Sequence, residues 1–463
     1  MNLPQGFIDE MTALFGQESE ALCRVIAQGE PVVSVRVNPA RGARLPAHAQ
    51  PVPWCPTGFY CTERPAFTFD PLWHAGHYYV QDASSMFIHH IISQLVHEPV
   101  SYLDLCAAPG GKTTAALSAL PPESLTVANE VVPARARVLA HNIQRWGHTH
   151  AVVTSADPAW WGRQCKEAFD VVAADVPCSG EGMMRKDAEA VAQWSPHLVQ
   201  QCAERQRAIL ADVWPALRPG GLLIYSTCTY NRQENELMAE YIARQLGADP
   251  VPVPTAPHWD IHGAVRSALP AYRFLPHRVL GEGLFVTVLR KHGDSQRRIP
   301  TAKGKKNPAE KAGGGSDALR QARSWLSHSD RFAWLTRGDT TSAVPRQWQA
   351  LIGALGDRLL LAGTEVASQA GRKTVPSHGL ALSTALAPAA FARCEVPYAT
   401  AIAYLRGESV TVEAPRGYVL ITYRGASLGF VNNLGNRANN LYPKPLRVLS
   451  THVPDAAPTV LQP

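Results

Sequence analysis

Short apolar runs punctuate the middle of the chain. Each is closed by an acidic residue or a Gly-rich turn and followed by a stretch of helical length. Residues 100–105, 125–128, 151–154, 169–174, 222–226 and 284–289 read as strands in this way. Strands separated by helix-length segments predict a mostly parallel, doubly wound α/β sheet over 76–292. Ahead of it, residues 1–75 are mixed and Pro-rich, opening with a helical pattern around Phe7 to Phe15. Behind it, 293–316 is Gly-, Lys- and Pro-rich and reads as a flexible basic linker. Residues 317–463 form a further folded region, in which 417–423 and 428–431 predict a hairpin around Arg424-Gly425-Ala426-Ser427. Trp325, Trp334 and Trp348 read as core.

Length and composition sharpen this picture in a few places. A chain of 463 residues supports two or three domains. No apolar run approaches a membrane span, and the N-terminus lacks a basic segment followed by an apolar core, so a cytoplasmic protein is expected. Nine cysteines with no C-x-x-C pair argue for reduced thiols and against a structural zinc site. The net charge of +6 is partly local: Arg297, Arg298, Lys303, Lys305, Lys306 and Lys311 face only Glu310. A solvated linker is the first reading of that run, and a phosphate-attracting tether the second.

In doubly wound sheets, ligands bind beyond the carboxyl ends of the strands. The first strand runs into Asp104 and the turn Cys106-Ala107-Ala108-Pro109-Gly110-Gly111-Lys112, ahead of a helical stretch. Small residues let a ligand approach the backbone, and helix N-terminal amides favour an anion. The spacing is not that of a P-loop. Glu130, Asp157 and Asp175 close the next three strands. An acid at the position of Glu130 accepts hydrogen bonds from ribose hydroxyls. Asp157 is placed to meet an adenine amino group, and Asp175 to face the amino-acid end of a nucleoside-type cofactor. Each acid alone reads as a helix cap or a solvated charge. Four acids closing four consecutive strands read as a cofactor site.

Two cysteines share that sheet edge. One lies in Asp175-Val176-Pro177-Cys178-Ser179-Gly180-Glu181-Gly182, the other in Ser226-Thr227-Cys228-Thr229-Tyr230. Asn231 and Glu234 resemble a capping box, which would start a helix near Cys228 and favour its thiolate. Cys23, Cys165, Cys202 and Cys394 read as inert packing. A thiolate beside a methyl-donor site suits methylation of carbon 5 of cytosine: addition at carbon 6 turns the ring into an enamine-like nucleophile. The residues alone do not say which cysteine attacks.

These stretches, with Val35-Arg36-Val37-Asn38-Pro39 and Gln81-Asp82-Ala83-Ser84-Ser85, resemble the NOL1/NOP2/Sun family of RNA cytosine-5 methyltransferases over residues 1 to about 292. The resemblance implies S-adenosyl-L-methionine as cofactor, held by Cys106 to Lys112 with Glu130, Asp157 and Asp175. It makes Cys228 the nucleophile and gives Cys178 a part in product release. The fold it implies is a Rossmann-like methyltransferase domain with an N-terminal α/β RNA-binding segment and a C-terminal PUA-like, β-rich RNA-binding module. The stretches 182–187, 273–278 and 428–443 resemble a bacterial subgroup acting on small-subunit ribosomal RNA. That implies one cytosine of 16S rRNA in the decoding region, on free rRNA or within the small subunit, as the target of a monomer with no membrane or DNA partner.

Two other readings compete. A DNA cytosine-5 methyltransferase would attack through Cys178, which the Ser-Thr-Cys motif disfavours. A non-catalytic assembly factor would have no need of both cysteines and all the acids. An amino-group methyltransferase would place an [Asn/Asp]-Pro-Pro-aromatic motif where Asp175-Val176-Pro177-Cys178 stands.

Overall fold

The computed structural model describes residues 2–299, 317–371, 373–450, 452–458 and 460–461. The Lys-rich stretch of the expected linker therefore lies outside the described residues.

The N-terminal module begins with helices Gln5–Phe15 and Glu18–Gln28. Phe7, Met11, Leu22 and Ile26, on their buried faces, pack against Trp194 and Tyr230 of the central domain. Four strands follow: β1 (Val33–Val37), β2 (Gln50–Val52), β3 (Cys55–Cys61) and β4 (Tyr78–Val80). They form an antiparallel sheet in the order β2-β3-β1-β4. The expected boundary at residue 75 falls short of β4, because the Asp70 carboxylate caps the turn at Pro71–His74 and holds the Tyr78 hydroxyl at 2.7 Å, tying the next strand back into this sheet.

The central sheet contains β5 (Ser101–Asp104), β6 (Leu125–Asn129), β7 (Ala151–Thr154), β8 (Phe169–Asp175), β9 (Leu217–Thr227), β10 (Ala248–Pro250), β11 (Tyr272–Phe274) and β12 (Leu284–Lys291). Their order is β10-β12-β9-β8-β5-β6-β7, with β11 on β12. Pairings among β5 to β9 are parallel and β12 is antiparallel to β9. All six expected strands are present. Helices of Pro133–Trp146 and Pro196–Val213 start with proline at the first turn, where its missing N–H costs nothing. Trp161, Phe169, Val172, Leu210, Leu223 and Phe285 join one core. After β7 the chain returns to the middle of the sheet and adds β8 beside β5. That reversal opens the crevice in which such sheets bind ligands.

The C-terminal region is built differently from one small β domain. Strand β13 (Phe332–Arg337) and β14 (Thr340–Pro345) lead to β15 (Leu359–Ala362), which leaves its neighbours and pairs antiparallel with β7 as the last strand of the central sheet. Strand β16 (Thr364–Ala370) and β17 (Lys373–Pro376) complete a sheet of order β13-β14-β16-β17. A final sheet holds β18 (Ala392–Glu395), β19 (Gly417–Tyr423), β20 (Ala426–Asn433) and β21 (Ala438–Asn440). The expected hairpin is β19–β20, turning at Arg424-Gly425. Val419, Ile421, Leu428 and Val431 share a core with Val35, Val37 and Tyr78, so this sheet packs on the N-terminal module. Trp325 and Trp348 are buried and Trp334 half-buried, as core residues.

Two of the basic residues assigned to the linker are engaged by the protein. Arg297 pairs with Asp170 at 2.7 Å and lies over the Trp348 ring, and Arg298 pairs with Glu167 at 2.8 Å. They anchor the chain to the base of β8 and are not free tether charges.

Candidate active site

The ends of β5 and β8 flank the crevice, and the sequence between β5 and the helix Gly111–Ala119 forms its floor. Gly110 caps that helix in the left-handed region at φ 109, where a side chain would be strained and would press on Leu139. A cavity of about 210 Å³ is lined by the turn at Cys106, Ala107, Ala108, Pro109, Gly111 and Lys112, by Asp104 and Asp175, and by Tyr79 to Asp82 and Ser85. The last group was not foreseen as part of the site. The only signal for it was the family-like Gln81-Asp82-Ala83-Ser84-Ser85 stretch, which carried no role.

The acids behave unequally. Asp104 is buried and accepts from the Thr113 hydroxyl at 2.6 Å; burial raises its pKa to about 7 against that hydrogen bond, and Asp175 raises it further. Asp175 is held at both oxygens, by Lys112 Nζ at 2.7 Å and by Ser226 Oγ at 2.8 Å. Burial alone would push the Lys112 ammonium down, but Asp175, with a smaller share from Cys228, holds it above its ordinary value. Glu130 is 3% exposed at the end of β6; its Oε1 accepts from the Val132 N–H at 3.0 Å and Arg135 stands 3.5 Å from Oε2. Asp157 caps the helix Pro158–Gln164 by accepting from the Trp160 N–H, and its side chain is half exposed. Neither Glu130 nor Asp157 lines the cavity at the glycine turn. Burial raises the Cys106 thiol, which stays protonated.

The two cysteines meet. Cys178 Sγ lies 3.1 Å from Cys228 Sγ, both thiols free and half-buried. The contact with Cys228, then burial, pushes the Cys178 thiol well up, and either sulfur can donate in the contact. Two buried carboxylates hold their loops together. Glu181 accepts from the backbone N–H of Tyr230 at 2.6 Å and of Asn231 at 3.0 Å, and from Trp194 Nε1 at 3.0 Å. Glu234 accepts from the Ser179 N–H at 3.0 Å and Gln206 Nε2 at 2.7 Å. The Gly182 N–H donates to the Cys228 carbonyl at 2.8 Å. Each loop thus fixes the other.

The expected helix start near Cys228 is displaced. Asn231 Oδ1 accepts from the Glu234 N–H at 2.9 Å, half of a capping box. The Glu234 carboxylate takes the Asn231 side-chain amide at 2.8 Å, while the Asn231 backbone N–H goes to Glu181. The helix runs Glu236–Tyr241, with Asn235 at its cap. The Glu234 carboxylate is drawn to Ser179 and Gln206, so the pair closes a turn instead.

Comparison with known proteins agrees with this architecture. Residues 94–290 match the family model of the 16S rRNA methyltransferase RsmB/F. Residues 3–83 match the N-terminal domain of 16S rRNA methyltransferase RsmF, and residues 391–448 match the methyltransferase RsmF PUA domain. The ribosomal RNA small subunit methyltransferase F of Shewanella baltica (strain OS195) is 33% identical over 422 residues, 86% of this chain and 84% of that protein. The protein of the same name from Aliivibrio fischeri (strain MJ11) is 31% identical over 431 residues, 89% of each chain. Among solved structures, NSun6 from Pyrococcus horikoshii with SFG superposes with a TM-score of 0.53 at 19% identity, covering 63% of this chain and 99% of that one. PH0851 gives 0.56 at 22% identity, covering 62% of this chain and 66% of that one. Both share the fold over the parts covered. The glycine turn, the acids about it and the paired thiols fit S-adenosylmethionine, the cofactor of these methyltransferases, and the chain belongs to the ribosomal RNA small subunit methyltransferase F family.

Proposed function

We propose that this chain methylates carbon 5 of one cytosine in the decoding region of 16S rRNA, through a covalent bond between Cys228 and carbon 6. The observation that carries the reading is the 3.1 Å thiol pair on the loops after β8 and β9, whose strand ends are joined where Ser226 donates to Asp175, a residue that lines the cofactor cavity with Lys112. A base held against that edge meets a sulfur nucleophile on one side and the methyl donor on the other.

The bound cofactor supplies an electrophilic methyl group on a sulfonium. The Cys228 sulfur gives its electron pair to carbon 6, and the displaced ring π electrons make carbon 5 nucleophilic. Carbon 5 would then accept the methyl group of a cofactor held by the Cys106 to Lys112 turn and Asp175, the cofactor leaving as its neutral thioether. Loss of the carbon 5 proton to solvent restores the carbon 5–carbon 6 double bond and expels the Cys228 thiolate. Cys178, its thiol pushed well up and 3.1 Å from Cys228, offers its S–H to the departing sulfur. In this reading Glu130 holds the ribose hydroxyls, Asp157 the adenine edge and Asp175 the amino-acid end. The N-terminal module and the PUA domain grip RNA. The protein works in the cytoplasm as a monomer on rRNA of the small subunit.

Bisulfite sequencing of 16S rRNA tests this. A strain lacking the gene should lose protection at one cytosine, and the wild-type gene, but not one encoding Cys228→Ser, should restore it. An unchanged protection pattern in the deletion strain would contradict the reading.

A further inference from the structure

Gln81 follows β4 and enters the cofactor cavity from the N-terminal module. It is 7% exposed, and its backbone N–H is fixed to the Ser34 carbonyl at 3.1 Å. Its side-chain oxygen accepts from Arg36 Nε at 2.8 Å. Arg36 is fully buried; its guanidinium also donates to Thr114 Oγ1 at 2.6 Å and lies over the Trp146 ring. Arginine only donates, so this bond sets which way the amide faces. The Gln81 oxygen belongs to Arg36, and Nε2 is turned away from it.

That Nε2 is buried and has no hydrogen-bond partner among the described residues. An unpaired buried donor is costly, so such groups ordinarily have a partner when the site is filled. The amide sits over the first turn of the helix Gly111–Ala119: a Cβ on Gly111 would lie 3.6 Å from Gln81 Nε2. The first-turn N–H groups of that helix also lack intrahelical acceptors. Two sets of donors therefore converge, while the neighbouring cation, Lys112, is already paired with Asp175 at 2.7 Å. Donors without a free cation suit an anionic acceptor held by hydrogen bonds. The acids Asp104 and Asp175 across the cavity suit an ammonium.

We propose that Gln81 Nε2 donates to the carboxylate of the cofactor's methionine end, making the N-terminal module one wall of the cofactor site. This rests on S-adenosylmethionine as the cofactor and not on which base is methylated. Arg36 is the positioning residue: it orients the Gln81 amide and fastens it to Thr114 of the turn's helix.

Calorimetry on the full chain separates this from a structural role. S-Adenosylhomocysteine carries the carboxylate, whereas 5′-methylthioadenosine carries the nucleoside without it. Gln81→Ala should weaken S-adenosylhomocysteine about tenfold and leave 5′-methylthioadenosine unchanged. Gln81→Glu, which sets a carboxylate against a carboxylate, should weaken S-adenosylhomocysteine further, again sparing 5′-methylthioadenosine. Equal loss of both ligands, loss of all binding in both variants, or undiminished S-adenosylhomocysteine affinity in Gln81→Ala would each overturn the proposal.

Discussion

Arg273 and Glu236 form a two-point ion pair with both side chains 1% exposed, at 2.8 Å and 2.5 Å, and the remaining guanidinium nitrogen donates to the Tyr230 carbonyl at 2.7 Å. Tyr230 is two residues beyond Cys228. The pair therefore joins β11, the helix Glu236–Tyr241 and the loop that carries Cys228. Removing one partner of a buried pair strands the other charge, which costs about 3–5 kcal/mol. Arg273→Ala should lower unfolding stability by that amount in urea titration, and by much more than Arg24→Ala, whose exposed pair with Glu20 is worth at most about 1 kcal/mol. Comparable losses in the two variants would show that the Arg273 pair is solvated in solution.

Acid stability follows from the buried histidines. Burial pushes His74, His77, His89, His148 and His378 down to about 4 and His141 to about 3. Unfolded, each returns to about 6.5. Between those values the unfolded chain binds more protons, so stability falls as pH drops from about 6.5 towards 4. Five carboxyls raised by burial, Glu10 and Asp104 to about 7, Asp70 to about 6, and Glu234 and Glu365, act in the opposite sense. The histidines outnumber them. Each net proton is worth about 1.4 kcal/mol per pH unit. The urea midpoint should be clearly lower at pH 5 than at pH 7.5. An equal or higher midpoint at pH 5 would mean that the carboxyls dominate.

Much of this was readable in the sequence, for identifiable reasons. The run 151–154 is Ala-Val-Val-Thr without polar alternation and its strand has those bounds, because a parallel strand buried on both faces needs none. The acids that close strands were visible because they interrupt such runs. Strand β15 was not visible: its partner β7 lies some two hundred positions earlier, and nothing local in Leu359–Ala362 marks a strand that leaves its own module. In the sequence Glu181 is only one residue of the Pro-Cys stretch, and Glu234 reads as the capping-box partner of Asn231. They are fully buried because backbone N–H groups of the opposite loop need acceptors there, a demand that arises only once β8 and β9 lie side by side. Gln81 was quoted only as part of a family-like stretch. Its place in the cavity depends on a sheet that packs against the cofactor turn from elsewhere in the chain.

Glu130 should matter to the cofactor although it does not line the cavity at the glycine turn. Glu130 is 3% exposed, and among the described residues Arg135, at 3.5 Å, is the cation that approaches Oε2. A ribose diol would find an acceptor there. Loss of a buried hydrogen-bond partner costs about 1–3 kcal/mol, so Glu130→Ala should weaken S-adenosylmethionine roughly 5- to 150-fold. Calorimetry giving unchanged affinity would remove Glu130 from the site.

The thiol pair carries the sharpest test. Cys228→Ser should abolish methylation, because a hydroxyl lacks the thiolate's nucleophilicity near neutral pH, while S-adenosylmethionine still binds. Cys178→Ala removes the thiol 3.1 Å from Cys228 and, on the proposed mechanism, leaves the attacking sulfur in place. Addition to carbon 6 and methyl transfer should proceed, and expulsion of Cys228 should stall. RNA would then stay covalently joined to the protein. On a denaturing gel with 16S rRNA, a slow protein–RNA band should appear for Cys178→Ala and be absent for Cys228→Ser and for the double variant. The glutamates that fix the two loops make the outcome readable: Glu181 and Glu234 bond to backbone and side chains other than the thiols, so both single variants should keep the loop geometry. If the band forms for Cys228→Ser instead, Cys178 is the nucleophile and the order of events at the site is reversed.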